Sequence, residues 1–259
     1  MKSELHYALI TGASSGIGEC FARALAVRGQ NLVLVARSFD KLRALAEELG
    51  AKHSVRVEPV GMDLSEPGAA DRLAQLLAER KLTIDLLVNN AGFGARGEFW
   101  KLKLARQSEM LRLNIAVLVE LTYLLLPRMM AERRGAIVNV SSTAGFQPIP
   151  YTSIYAATKA FVTNFSLGLA EELRPYGVTV VTLCPGGTAT NFFQASGHEH
   201  PKVLGTLQSP EEVVRAGLKA LDHGGGLVVP RLLNKLGVVS QRFAPRGLVT
   251  KIAGRIFKL

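Results

Sequence analysis

Three side chains suited to proton transfer stand at fixed intervals in the sequence: Ser142, Tyr155 and Lys159. Residues four apart on a helix lie on one face, so Tyr155 and Lys159 are expected to project into the same space. A phenol with a pKa of about 10 exchanges protons poorly at neutral pH unless a nearby cation, here the Lys159 ammonium, favours its phenolate. The Ser142 hydroxyl can then hold a carbonyl oxygen. This set predicts hydride transfer between a nicotinamide nucleotide and a carbonyl compound.

A glycine-rich turn lies upstream, where the predicted first strand meets the first helix. Gly12, Gly16 and Gly18 allow a tight turn there and let backbone N–H groups approach a pyrophosphate at the helix N-terminus. The spacing is G-x-x-x-G-x-G rather than the commoner G-x-G-x-x-G. A tight connection without a ligand is the alternative interpretation of these glycines taken alone.

The end of the second predicted strand indicates which nucleotide is bound. NAD-dependent enzymes usually have an acidic residue there, which binds the adenosine ribose hydroxyls. This chain has Ala36-Arg37-Ser38 instead. The Arg37 guanidinium can pair with a 2′-phosphate, and Ser14 or Ser38 can add hydrogen bonds. The position favours NADP(H) over NAD(H), and an ordinary solvated arginine is the alternative.

Further candidates follow the carboxyl ends of two other strands, where ligands bind in open parallel sheets. Asn90 is either part of such a site or a turn residue that satisfies the backbone. Asn114 interrupts an apolar segment, and a buried amide needs partners, so it is either a structural clamp or part of a water-bearing site. The candidates at the strand ends are Asp63 and Leu64, then Asn90, Ala91 and Gly92.

Strand and helix patterns alternate along the whole chain. This predicts an α/β fold, a Rossmann-type doubly wound parallel sheet of about seven strands with helices on both faces, in a single domain. Asp40 is expected to cap the second helix and Gly50 to end it. The strands are expected over 6–11, 31–36, 55–62, 85–89, 136–141, 178–184 and 226–230. The helices are expected over 16–28, 40–49, 69–80, 104–131 (with Pro127 as the point where it could break) and 153–174, with another beginning after Ser209.

The composition supports a chain that buries a full core, since 48% of the 259 residues are hydrophobic and 20% are charged. Cys20 and Cys184 have no metal or redox spacing, so both are expected to be buried thiols of a reducing cytoplasm, and no metal site is predicted. No signal peptide is visible, and no apolar run approaches the roughly 18 residues that a membrane span needs. The net charge of +10 is concentrated partly in the tail, where Asp222 is the last acidic residue.

Together these motifs resemble those of the classical short-chain dehydrogenase/reductases, over roughly residues 7–230. The catalytic tetrad that this resemblance implies is Asn114, Ser142, Tyr155 and Lys159. Tyr155 would be the general acid in reduction and the general base in oxidation. Lys159 would lower its pKa and bind the nicotinamide ribose, Ser142 would orient the carbonyl, and Asn114 would hold a water in the proton relay. Ser141 is one residue too far from Tyr155 to fit the pattern.

The same resemblance implies the cofactor contacts and the position of the substrate. A segment over about 188–208 matches the family's substrate-covering loop, and Thr188 stands where the family often has Val or Ile. Phe192, Phe193, Val203 and Leu204 would give that loop an apolar inner surface, whereas His198 and His200 are assigned no catalytic role. The expected cofactor contacts are Gly12, Ser14, Ser15, Gly16, Ile17, Gly18, Arg37, Asp63, Leu64, Asn90, Ala91, Gly92, Tyr155, Lys159, Pro185, Gly186, Thr188 and Thr190.

The tail is predicted to be a basic amphipathic extension over 231–259, after a catalytic domain over 1–230. It resembles the tail of the subgroup allied to 3-oxoacyl and steroid reductases. As a helix it would pack on its own domain, on a partner subunit or on an anionic membrane surface. The expected location is the cytoplasm, as the cysteines indicate, and the tail leaves peripheral membrane contact open. The resemblance also implies a homodimer or homotetramer built on the helix over 153–174 and on the one around Asn114.

These observations predict an NADP-dependent oxidoreductase that interconverts a lipophilic carbonyl compound and its alcohol. Two alternatives stay open: a reductase of 3-oxoacyl thioesters on acyl carrier protein or CoA, and a regulatory module that binds NADP without turnover. The second has no need of Tyr155 and Lys159 together. Nucleic acid is not an expected partner, because the basic residues do not alternate with exposed aromatic side chains.

Overall fold

A parallel β-sheet forms the centre of the structure, a computed structural model that describes residues 5–192, Ser196 and residues 206–258. Seven strands of this described part pair in the order β3-β2-β1-β4-β5-β6-β7. The strand order reverses between β1 and β4, the position at which doubly wound sheets bind their ligands. The strands are β1 His6–Thr11, β2 Asn31–Ala36, β3 Val57–Gly61, β4 Thr83–Asn89, β5 Gly135–Val140, β6 Val178–Leu183 and β7 Gly226–Val228.

Helices cover both faces of this sheet and create two separate apolar cores. One core is formed with α1, α2 and α7 and contains Phe21 and Leu42, while the other is formed with α3, α5 and α6 and contains Leu73 and Leu121. The doubly wound fold expected from the alternating pattern is thereby confirmed. The helices are α1 Gly16–Val27, α2 Phe39–His53, α3 Ala69–Glu79, α4 Leu104–Leu111, α5 Val117–Ala131, α6 Ser153–Leu173, α7 Pro210–Asp222, α8 Leu232–Ser240 and α9 Arg246–Phe257.

The second helix has different ends from those expected. Ser38, rather than Asp40, is the N-cap residue, and α2 runs past Gly50 to His53. An internal glycine costs a helix only about 1 kcal/mol, which the neighbouring helix-forming residues offset. The helix ends where Ser54 adopts a left-handed conformation and donates its backbone N–H to the Gly50 carbonyl, 3.1 Å away.

The stretch from α4 to α5 is one continuous helix, and Pro127 does not break it. A single π-helical turn, Arg112–Ala116, joins the two parts. The stretch Leu104–Ala131 is long and apolar enough to cross a membrane by length and composition, with a mean hydropathy of 1.6 in its best window. The expectation that no segment reaches that length was therefore wrong, because an 18-residue window of this helix contains no more than two charged residues. Its buried residues, among them Val117 and Leu121, pack on the sheet as in a core helix.

Candidate active site

A cavity of about 1000 Å³ opens at the carboxyl ends of the central strands. This volume is at the upper end of the range for ligand pockets in proteins. The cavity runs from the glycine-rich turn after β1 to Tyr155 and Lys159 on α6. The structure therefore brings the two separate sequence motifs to one continuous space.

The glycine-rich turn is packed so closely that side chains are excluded from it. A Cβ atom on Gly18 would lie 2.3 Å from the Gly12 carbonyl oxygen and 2.6 Å from Asn90 Nδ2. Gly12 and Gly16 have positive φ angles of 68° and 59°, which other residues rarely adopt. The glycines thus serve both the turn and its contact with the loop after β4.

The N-terminus of α1 faces the cavity without a side-chain cap. Ser15 is the N-cap residue, and its side chain makes no capping hydrogen bond. Ser14, Ser15, Gly16 and Ile17 all line the cavity. Uncapped N–H groups and the positive end of a helix dipole suit a phosphate group.

Arg37 lies at the other end of this turn region, after β2. Its side chain is 66% exposed, and Nη1 lies 3.9 Å from carboxylate oxygens of both Asp63 and Glu109. Burial alone would raise the pKa of Asp63, but hydrogen bonds from Ser65 and the charge of Arg37 outweigh it, and the pKa is lowered. Arg37, Ser38, Asp63 and Leu64 line the same part of the cavity, so a cation and hydroxyl groups are available to an anionic ligand there.

Asn90 satisfies backbone groups, as its turn interpretation predicted. Its Nδ2 donates to the Thr11 carbonyl at 2.9 Å and to the Gly12 carbonyl at 3.3 Å. The backbone N–H groups of Asn90 and Ala91 both donate to the Thr11 hydroxyl. These bonds hold the loop Asn90–Gly92 against the glycine-rich turn, where all three of its residues line the cavity.

Asn114 lies in the π-helical turn and is 2% exposed. Its Oδ1 accepts from the Phe93 N–H at 3.1 Å, and its Nδ2 donates to the Phe93 carbonyl at 3.0 Å and to Thr158 Oγ1 at 3.1 Å. A carboxamide has two N–H donors, and both are used. Of the two interpretations of this side chain, its contacts match the structural clamp, which ties the loop after β4 to α6.

Tyr155 and Ser142 meet at the cavity wall. Desolvation by the surrounding protein raises the pKa of Tyr155 to about 12, and the nearby Ser142 hydroxyl acts in the opposite direction. Ser142 Oγ also accepts from the Ala144 N–H at 3.1 Å. The Phe192 ring packs on Tyr155, with 5.3 Å between the ring centroids. The phenol is therefore held in its protonated form at neutral pH.

Lys159 lies one turn further along α6 and is 6% exposed. Its Nζ donates to the Val140 carbonyl at 2.8 Å and lies 5.9 Å from the centre of the Tyr155 ring. Burial lowers the pKa of Lys159 to about 8. Burial raises the pKa of Tyr155 itself, so stabilisation of its phenolate by the Lys159 ammonium stays a prediction.

Ser141 takes no part in this arrangement. Its hydroxyl donates to the Lys159 carbonyl at 2.7 Å and lies 2.7 Å from Thr163 Oγ1. It therefore anchors α6 to the end of β5, whereas Ser142 faces Tyr155. The spacing argument that separated the two serines agrees with this geometry.

The segment after β6 closes the cavity on the side of the glycine-rich turn. The Gly186 N–H donates to Gln208 Oε1 at 3.0 Å, and Thr188 Oγ1 donates to the Gly186 carbonyl at 3.0 Å. Thr190 touches the glycine-rich turn, because a Cβ atom on Gly16 would lie 3.0 Å from Thr190 Cγ2. Pro185, Gly186, Thr188 and Thr190 all line the cavity.

The structure describes the expected substrate-covering loop only over 188–192, at Ser196 and over 206–208. Thr188 and Gln208 form a parallel β-bridge, so the two ends of the loop lie side by side. Phe192 contacts Tyr155 as an apolar inner residue would. The predictions for the loop residues Phe193, His198, His200, Val203 and Leu204 lie outside the described residues.

The sequence analysis missed the residues that the C-terminal helices contribute to the cavity. Asn234 and Gln241 lie in or just after α8, and Ile252 and Ile256 lie on α9; all four line the cavity. Asn234 packs on Gly186, where a Cβ atom would lie 2.5 Å from Asn234 Nδ2. The apolar period of α9 was visible in the sequence, but its packing partner was not. Arg106, whose guanidinium lies 3.6 Å from the centre of the Phe93 ring, gave no signal in the sequence at all.

The site contains proton donors, a cation and an uncapped helix N-terminus. Among the residues that the structure describes, no group of three or more His, Cys, Asp or Glu side chains could hold a metal ion. These features fit a dinucleotide with phosphates at two positions. One is the uncapped N-terminus of α1 beside the close-packed glycines, and the other is the exposed Arg37. The far end, at Tyr155 and Ser142, fits a carbonyl oxygen.

Comparison with known proteins gives a consistent result. The family model for short chain dehydrogenase matches residues 6–201. The chain is 33% identical to very-long-chain 3-oxoacyl-CoA reductase from Bos taurus, over 83% of this chain and 68% of the relative. Two solved structures are similar over most of both chains. One is a short-chain dehydrogenase from Sphingobium yanoikuyae in complex with NADPH, with 36% identity, a TM-score of 0.84 and 94% of each chain covered. The other is a bulky-bulky ketone specific alcohol dehydrogenase from Comamonas testosteroni, with 33% identity, a TM-score of 0.78, and 93% and 94% covered.

Proposed function

This chain belongs to the short-chain dehydrogenase/reductase family and is an oxidoreductase that uses a nicotinamide cofactor, and we propose that it reduces a lipophilic ketone or aldehyde with NADPH. The observation that carries the proposal is the position of Ser142, Tyr155 and Lys159. All three line a cavity that continues to a phosphate-binding turn. The protonated phenol of Tyr155 is the form that reduction requires as its proton donor.

Each residue of the site has a proposed task. A bound nicotinamide nucleotide supplies or accepts a hydride. The Ser142 hydroxyl donates a hydrogen bond to the substrate carbonyl, and Tyr155 delivers a proton to the same oxygen as negative charge develops on it. The Lys159 ammonium stabilises the phenolate that remains and holds the nicotinamide ribose. Asn114 positions α6 through Thr158 and the loop after β4 through Phe93, which is a positioning role.

The preference for NADP(H) over NAD(H) is proposed to depend on Arg37. Its guanidinium is exposed at the end of β2, with Ser14 and Ser38 lining the same part of the cavity. The Arg37→Asp variant should lose about tenfold to a hundredfold in kcat/KM for NADPH, because a hydrogen bond to a charged group contributes about 1.5–3 kcal/mol. The value for NADH should stay the same or rise. Arg43→Asp removes an equally accessible arginine from α2 and should change neither value; a parallel loss in both variants would contradict the assignment.

The substrate is proposed to be lipophilic because apolar residues surround the catalytic end of the cavity. Phe192 covers Tyr155, and Ile149, Val249, Ile252 and Ile256 line the wall beyond it. We assign residues 1–230 to the catalytic domain and residues 231–259 to an extension that supplies part of this wall. A small polar carbonyl compound would leave most of this surface unfilled.

The activity can be tested with a panel of aldehydes, ketones and 3-oxoacyl thioesters, by following the loss of NADPH absorbance. Turnover should increase with the apolar area of the ketone and should fall at least about a thousandfold in Tyr155→Phe, which lacks the proton donor. NADPH binding by the variant should remain. Binding of NADPH by the wild-type chain without turnover of any compound would instead favour the regulatory module.

A second candidate is a reductase of 3-oxoacyl thioesters. It is favoured by the 33% identity to a very-long-chain 3-oxoacyl-CoA reductase and by the basic extension beside the cavity, which suits the phosphates of an acyl carrier. A kcat/KM for a long-chain 3-oxoacyl-CoA well above that for a ketone of equal chain length would select this function.

The assembly and the location of the protein are also part of the proposal. The free thiols of Cys20 and Cys184 suit a reducing compartment, so we assign the chain to the cytoplasm, with peripheral membrane contact through residues 231–259. A homodimer or homotetramer is proposed, built on the faces of α5 and α6 that do not contact the sheet.

A further inference from the structure

The two C-terminal helices leave an apolar surface uncovered. On α8 and the turn that follows it, Leu232, Leu236, Val239 and Phe243 recur at intervals of three or four residues, so they lie on one side of the helix. Their exposed fractions are 71%, 56%, 42% and 85%. A second row on α9, Leu248, Ile252 and Ile256, is about half exposed. These seven residues are called the C-terminal apolar surface below.

This surface is surrounded by positive charge. The sequence from His223 to Leu259 contains seven arginines and lysines and no aspartate or glutamate. Arg231 forms an ion pair with Glu212, whereas the other six have no ion-pair partner in the described part of the chain. They are Lys235, Arg242, Arg246, Lys251, Arg255 and Lys258. Apolar rows flanked by unpaired cations are typical of helices that lie in the interface of an anionic membrane.

The α9 row of this surface continues into the cavity. Ile252 and Ile256 line the cavity and are also 48% and 44% exposed, so they lie at its rim. The α9 helix is held to the body at its C-terminal end, where Arg96 Nη2 donates to the Phe257 and Lys258 carbonyls at 3.2 Å and 3.0 Å. A molecule bound against the C-terminal apolar surface would therefore be next to the entrance of the catalytic cavity.

We propose that α8 and α9 dock on an anionic phospholipid bilayer and that a lipophilic substrate passes from this bilayer into the cavity past Ile252 and Ile256. A second copy of the chain is a poorer occupant, since a twofold contact through this surface would bring like charges together with no acidic residue to pair them. The substrate route rests on the proposed reductase function. The docking itself does not.

Docking can be measured by co-sedimentation of the full-length protein with vesicles of phosphatidylcholine alone or mixed with phosphatidylglycerol. The protein should bind the mixed vesicles, bind the neutral ones much less, and dissociate as salt increases. Leu232→Glu should weaken binding by about tenfold, because it places a charge in the apolar row. Leu104→Glu is the matched control, since Leu104 is 75% exposed on α4. This variant should bind the vesicles as the wild-type protein does.

The substrate route has its own measurement. Leu232→Glu should reduce the turnover of a lipophilic ketone carried in anionic vesicles by about the factor by which it reduces vesicle binding, while turnover of a water-soluble ketone stays unchanged. Equal binding to both vesicle types, or no binding to either, would overturn the docking. So would a Leu232→Glu protein of lower sedimentation mass with unchanged vesicle binding, which would assign the surface to a second copy. Vesicle binding without turnover of any ketone would refute the reductase function and leave the docking supported.

Discussion

Desolvation gives the two groups proposed to carry the proton their unusual properties. It raises the pKa of Tyr155 to about 12 and lowers that of Lys159 to about 8. The phenol is the proton donor that carbonyl reduction requires, and it stays protonated well above neutral pH. The ammonium is charged at neutral pH, but burial disfavours that charge. The buried Lys159 ammonium therefore lowers the stability of the fold. It lies next to the Tyr155 phenol, whose phenolate it can stabilise.

Replacing this lysine should stabilise the cofactor-free protein. The folded-state pKa of Lys159, about 8, lies below its ordinary value of 10.5, so the unfolded chain binds more protons between these values. The penalty is complete below pH 8 and disappears as the pH rises towards 10.5. Lys159→Met should raise the free energy of unfolding at neutral pH by about 1–3 kcal/mol and abolish turnover.

Urea unfolding at several pH values between neutrality and pH 9 would check this prediction. Wild-type stability should gain more from rising pH over this range than the stability of Lys159→Met does. Lys41→Met, at an exposed position on α2, should leave both stability and turnover within experimental error of the wild type. A Lys159→Met protein less stable than the wild type would mean that the Val140 hydrogen bond outweighs the burial of charge.

For the residues of the site, the sequence predicts which side chains lie together but not which hydrogen-bond partners each of them has. The intervals between Ser142, Tyr155 and Lys159 place them together, because the strand end and the helix are both regular. The interpretation of Asn114 could not be decided in advance, because its partners are the Phe93 backbone and Thr158. Those contacts depend on the packing of three elements that are distant in sequence.

Among the elements, the turn between β1 and α1 tolerates the least change. Gly18→Ala would force a Cβ atom to 2.3 Å from the Gly12 carbonyl oxygen, so it should destabilise the fold by about 1–3 kcal/mol and weaken nucleotide binding. Gly168→Ala, in the middle of α6 with no atom within 4 Å of the new Cβ, should instead stabilise by about 0.5–1 kcal/mol. Thermal unfolding with and without NADPH compares the two variants. Equal changes in melting temperature would show that the turn is packed less closely than in the structure.

The elements predicted best are those with two buried faces. The strands β1, β2, β5 and β6 read as short apolar runs, and their bounds agree with the sequence analysis to within one residue. The α8 helix was missed because its apolar row faces outward and contains Gly237, so it lacks the pattern of a core helix. The end of α2 was misplaced because a lone glycine is a weak stop signal inside residues that favour a helix.

Over the whole molecule, the outer faces of α5 and α6 expose aromatic side chains. Tyr123 on α5 is 76% exposed, and on α6 Phe161 is 40% exposed and stacks on Phe165 with 5.8 Å between the ring centroids. We expect the protein to sediment with at least the mass of a dimer. Phe161→Glu should shift it towards the monomer, whereas Val27→Glu, a 69% exposed position at the end of α1, should not. A monomer at micromolar concentration in the wild-type protein would contradict this assembly.

The most direct test of the account is the transfer of deuterium from NADPH labelled on its transferable hydride to a lipophilic ketone, followed by mass spectrometry of the alcohol. The wild-type protein, but not Tyr155→Phe, should form an alcohol that carries one deuterium on the former carbonyl carbon. An unlabelled alcohol would contradict hydride transfer from the nucleotide. A labelled alcohol formed equally fast by Tyr155→Phe would remove Tyr155 from the role of proton donor.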